Sequence, residues 1–99
     1  MDKLTVTVDA DIQDLIPGFL ANRHRDVTRI ADALAAGDFD AIRLIGHSMK
    51  GAGGGYGFDA VTEIGARIEE GGIARDATAI ESASRDLATF LQRVEVVYS

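Results

Sequence analysis

"GHSMKGAGGGYGF", Gly46 to Phe58, holds six glycines, one of the chain's two histidines, and a lysine three residues after it. Whether this stretch is helix or loop decides the fold. Glycine is a poor helix former, yet Ile42, Ile45, Met49 and Ala52 run through it at helical spacing. At about 100° per residue those four form one stripe, and His47 lies roughly opposite its centre, on the solvent side. Gly51 is one turn past His47 and Gly54 about two turns past, so both share its face. Lys50 at i+3 flanks it, and Arg43 lies one turn before it. Gly53 falls near the buried stripe, where it allows close helix packing. A glycine inside a helix costs roughly 1 kcal/mol relative to alanine, and on an exposed face packing does not offset it. Access does: with no side chains beside the imidazole, a bulky group or another protein's backbone can reach it. The competing reading makes "GAGGGYG" a loop that ends the helix. On either reading His47 and Lys50 are exposed.

Helical periodicity extends outward from this stretch. From Asp9 the apolar positions are Ile12, Leu15, Ile16, Phe19, Leu20, Val27, Ile30 and Leu34. Pro17 suits the first turn of a new helix, and Gly37 in "AAGD" is a natural residue to end it. Asp38 then caps the helix that begins "FDAIRLIGHSMKG". Asp59 can cap "AVTEIGARIEE", which Gly71 and Gly72 stop. Asp76 can cap the last and longest helix, with the stripe Ile80, Ala83, Leu87, Phe90, Leu91, Val94 and Val97 or Tyr98. The opening "LTVTV" alternates like a strand, but no second strand is evident to pair with it, so it is read as an extended arm. The expected fold is all-α: an antiparallel up-down four-helix bundle with a short extra N-terminal helix or extended arm, one domain over residues 1–99.

Composition narrows the function. Hydrophobic residues make up 46% of the 99 and charged residues 26%, an ordinary globular balance. No apolar run approaches the roughly 20 residues that span a bilayer, and "MDKLTVTVDAD" lacks the apolar stretch of a secretory signal. The reading is a soluble, cytoplasmic protein without a membrane partner. Absence of cysteine removes disulfides and thiolate metal sites. A net charge of −6 argues against nucleic acid, whose phosphates need basic patches.

The central stretch resembles the histidine phosphotransfer (HPt) domain motif, in which histidine is followed by x-x-Lys-Gly and later by a glycine and a hydrophobic residue. His47, Lys50, Gly51, Gly57 and Phe58 match it in place. The likeness continues through "IGARIEE" and fits "GDFDAIRLIGHS" and the expected bundle, so it covers most of the chain. Met49 and Ala52 depart mildly from the family's frequent Leu and Ser. The resemblance implies a relay protein without kinase activity of its own. His47 would be the phosphoryl acceptor, exchanging with the aspartate of response-regulator receiver domains or receiving from a hybrid or sensor histidine kinase. Lys50 would offset phosphoryl charge, with Arg43, Gly51, Gly54, Gly57 and Phe58 serving partner access and docking. The residues agree with this chemistry. Imidazole titrates near neutral pH, so a neutral nucleophile is available, and it can hold a phosphoryl group covalently. A nearby cation stabilises phosphoryl charge. No carboxylate cluster suggests a metal site of the chain's own, so no cofactor is expected and Mg²⁺ belongs to the partner receiver. The expected state is a monomer.

Other readings are weaker. There is no G-x-x-x-x-G-K-[ST], and "GYGFDA" lacks the strand that precedes a dinucleotide fingerprint. His24 and His47, on different helices, are too few for a metal site, and His24 receives no role. Ser48 diverges from His47 by about 100°, which disfavours a Ser-His dyad. Arg23 falls on an apolar stripe and reads as a snorkelling or ion-paired arginine. Glu69 and Glu70 read as a solvated helix end. The alternative function is a helical-bundle interaction module that carries no phosphate.

Overall fold

The glycine-rich stretch is helical. In a computed structural model, which describes residues 3–99, helix α2 runs unbroken from Phe39 to Tyr56. It is preceded by strand β1 (Leu4–Val8), a 3₁₀ turn (Ala10–Leu15) and α1 (Ile16–Ala36), and followed by α3 (Asp59–Ala74), α4 (Ala77–Arg93) and strand β2 (Val94–Tyr98). Among the described residues no helix is long and apolar enough to cross a membrane.

Local signals set most boundaries. Pro17 sits in the first turn of α1, and Gly37 closes that helix in the left-handed region at φ 69°. The Asp38 carboxylate accepts from Ala41 N–H at 3.0 Å to start α2, and Gly57 ends it at φ 82°. The Asp76 carboxylate accepts from Ala79 N–H at 3.1 Å to start α4. Two expectations for α3 need correction. Its N-cap is Phe58, with Asp59 the first helical residue, where a carboxylate still favours the N-terminal dipole. Gly71 and Gly72 do not stop the helix. They are buried within it, and it ends at Arg75 in the left-handed conformation.

Each helix packs on the next and α1 packs on α4, closing a four-helix ring. Along the α2–α3 seam, Arg43 meets Gly72, Gly46 meets Glu69, Lys50 meets Gly65 and Gly53 meets Thr62, so the two helices run antiparallel. Phe19, Phe58 and Phe90 join three helices at one end of the core. Phe19 and Phe58 stack at 4.7 Å between ring centroids, and Phe90 meets Phe58 edge-on at 6.4 Å.

The termini overturn the expected arm. β1 and β2 pair in parallel, Leu4 with Val94 through Val8 with Tyr98. Val94, Val97 and Tyr98 therefore belong to a strand and do not extend the last helix. "VEVVY" fits either periodicity over so short a run, but its β-branched residues favour the pleated form. The strand-like "LTVTV" supplies the partner. Val8 is buried, and Val6, Val94 and Val96 pack against the helical core, which gives a two-stranded ribbon the support it lacks alone.

Candidate functional site

His47 projects from α2 with its side chain 66% exposed. Across the seam its Nδ1 lies 2.8 Å from Oε2 of Glu69 on α3. The other oxygen of that carboxylate accepts from Lys50 Nζ at 2.7 Å. Hydrogen bonds from Lys50 first, then from His47, hold the Glu69 carboxyl below its ordinary range against the opposing effect of burial. Glu69 is therefore ionised at neutral pH and acts only as an acceptor. An acceptor-only carboxylate requires the donor in this hydrogen bond to be the Nδ1–H of His47, so in the neutral ring Nε2 is the nitrogen that carries the lone pair.

A carboxylate behind an imidazole fixes its tautomer and stabilises positive charge that develops on the ring when the opposite nitrogen attacks an electrophile. Lys50, 41% exposed, stands beside the same carboxylate with donor capacity to spare. The surface of α2 beyond His47 is bare. A Cβ placed on Gly51 or Gly55 would meet nothing within 4 Å, and one on Gly54 would reach only Thr62 Oγ1 at 4.0 Å. An imidazole, a cation and an open helix surface lie together on one side of the seam.

The residues expected to form the site divide into two groups. His47, Lys50, Gly51 and Gly54 share the exposed face. Arg43 lies half-buried one turn before His47 with its backbone against Gly72; among the described residues no hydrogen bond links it to His47 or Glu69. Gly57 is the left-handed residue that ends α2. Phe58 is a correction: it is fully buried against Phe19, so it builds the core and offers no surface to a partner. Ser48 and His24 are exposed, and among the described residues no side-chain hydrogen bond links either to His47, Lys50 or Glu69. Arg23 is ion-paired as expected. Its Nε donates to Asp26 Oδ2 at 2.8 Å within α1, both groups are buried, and burial pushes the Asp26 carboxyl up despite that neighbour.

Glu69 is the residue that sequence reasoning missed. It is not a solvated helix end; its side chain is 16% exposed and joins the two chemical groups of α2. The pattern that reveals it is the spacing of glycines. Gly65 and Gly72 stand one turn to either side of Glu69 on α3, and Gly46 and Gly53 repeat at the same seven-residue interval on α2. Such a repeat marks a seam where two helices touch backbone to backbone, and Glu69 lies on it.

No curated protein and no solved structure matches the chain. A family model of the Hpt domain matches residues 14–96, which spans the whole helical ring and the site on it. The chain belongs to the Hpt domain family, the phosphotransfer modules of two-component systems.

Proposed function

We propose that His47 accepts a phosphoryl group on Nε2 and relays it to or from the aspartate of response-regulator receiver domains. The observation that carries this reading is the exposed imidazole of His47 beside an open helix surface, backed by the Glu69–Lys50 pair. In the accepting direction, Nε2 attacks the phosphorus of an aspartyl phosphate. The N–P bond forms, the P–O bond breaks, and the electron pair leaves on the partner's carboxylate. Nδ1 keeps its proton, so the ring becomes cationic as the bond forms, and Glu69 stabilises that charge. Lys50 offsets the phosphoryl oxygens. In the return direction the cationic phosphoimidazole is the better leaving group, so Glu69 assists both transfers.

In this reading the divalent cation sits with the receiver's own carboxylates, and the chain carries phosphate without kinase activity. A hybrid or sensor histidine kinase stands upstream. Leu44, three residues before His47, and Ile73, one turn past Glu69, are 54% and 65% exposed and offer apolar contact at the rim of the face. The test is incubation with receiver domains phosphorylated on aspartate. The wild-type chain should take up acid-labile, alkali-stable label, and His47→Gln should take up none. Equal labelling of that variant would overturn the assignment, and an unlabelled wild type would favour the phosphate-free interaction module.

A further inference from the structure

Four buried glycines line the α2–α3 seam, and two of them stand at the level of His47. A Cβ on Gly46 would overlap the backbone N of Glu69 and lie 2.8 Å from the carbonyl oxygen of Gly65. A Cβ on Gly65 would stand 2.5 Å from the backbone N of Lys50 and 2.9 Å from its Cα. Neither glycine has a positive φ, so backbone conformation does not require them. What requires them is space. The atoms they would strike are backbone, which no side-chain rotation can move aside.

We propose that Gly46 and Gly65 are positioning residues for the phosphotransfer site: by letting α2 and α3 touch at this level, they set the distance at which Glu69 holds His47. The proposal rests on the His47 reading only for its activity arm. The residues these glycines touch are the site itself. Gly46 adjoins His47 in the chain and meets Glu69 across the seam, and Gly65 meets Lys50. A methyl at Gly65 needs carbon contacts of about 3.5 Å or more, so α3 must retreat by about 1 Å. That lengthens the 2.8 Å His47–Glu69 hydrogen bond beyond useful range. Lys50, on a flexible stem, can follow the retreating carboxylate; the short imidazole side chain cannot.

Gly53 provides the matched control. Its Cβ would meet the backbone N of Thr62 at 2.6 Å, a comparable clash, but six residues past His47, about 9 Å along α2. The first measurement is the ¹⁵N NMR spectrum of the His47 ring. Wild type and Gly53→Ala should show a protonated Nδ1 and a bare Nε2. Gly65→Ala should shift toward the Nε2–H tautomer, the usual preference of an unconstrained imidazole. The second is a transfer-rate cycle with Glu69→Gln. Gly65→Ala should slow transfer on the order of tenfold or more, because a 1 Å misplacement can cost up to about 10²-fold. The double variant should be no slower than the slower single, since both act through one bond. A Gly65→Ala protein with wild-type tautomer and rate overturns the proposal, as do additive effects in the cycle. If Gly65→Ala does not fold, Glu69→Asp shortens the reach without touching the seam, and wild-type tautomer and rate there overturn it equally. A chain that is never labelled would sink the relay reading while leaving the tautomer measurement to decide this one.

Discussion

Gly51 and Gly53 lie in the same helix, two residues apart, and adding one methyl group to each should move stability in opposite directions. Gly51 is exposed at an ordinary helical φ, and its new Cβ would meet nothing within 4 Å. Gly51→Ala therefore gains helix propensity without a clash, up to about 1 kcal/mol. Unfolding entropy of roughly 2.1 cal/mol/K per residue over 99 residues converts this to a rise in Tm of up to about 5 °C. Gly53→Ala gains the same propensity, but its Cβ would stand 2.6 Å from both the backbone N and Oγ1 of Thr62. Overpacking of this kind costs about 2–3 kcal/mol where the struck atom is backbone, and less the propensity gain this leaves a net loss of about 1–2 kcal/mol, so Tm should fall by about 5–10 °C. Thermal melts followed by far-UV circular dichroism measure both. A second pair of experiments asks why Gly51 persists although alanine is more stable there. Gly51→Leu should fold normally yet slow transfer from a phosphorylated receiver, because the side chain stands in its path. A destabilised Gly51→Ala, a stabilised Gly53→Ala, or a Gly51→Leu protein that transfers at the wild-type rate would each refute the division into access and packing glycines.

Lys50→Ala should slow transfer while changing stability by less than about 1 kcal/mol, since its ammonium is substantially exposed; paired rate and melting measurements check this. The pH dependence of stability should carry the signature of Glu69. Its folded-state pKa lies below the ordinary value of 4.5, so the stability it contributes is complete above that pH and is lost as pH falls through the folded value. Melts of wild type and Glu69→Gln should differ at neutral pH and converge in acid. Arg23→Leu should destabilise by about 3 kcal/mol, because it leaves the buried Asp26 carboxylate with only Arg29, at 3.3 Å. Burial already raises the Asp26 pKa, so part of that loss should be recovered as the pH is lowered, which denaturant titrations at several pH values would show.

The four helices were legible because each carries one apolar stripe and three of their boundaries carry strong local signals, at Pro17, Asp38 and Asp76. The exposed placement of His47 followed from angle alone. What the sequence did not show depends on contacts distant along the chain. "LTVTV" looked unpartnered because its partner lies ninety residues away in a segment whose valines also fit a helical stripe. Gly71 and Gly72 looked like a stop because glycine signals a helix end in local terms, whereas here close packing against Ile80 and Arg43 requires them. Phe58 matched a motif position and so looked functional, but its burial shows that its part is in the core. Glu69 was hidden for a related reason. Adjacent glutamates before two glycines resemble a solvated terminus until the glycines are placed on a seam, and only then does one carboxylate come to lie between His47 and Lys50.

The most direct test of the account is to locate the phosphoryl group in the phosphorylated protein. With uniformly ¹⁵N-labelled chain, phosphorus–nitrogen coupling identifies the bonded atom. The account predicts a bond to Nε2 of His47, with Nδ1 still protonated against Glu69. Phosphorus on Nδ1, or on any residue other than His47, would contradict it.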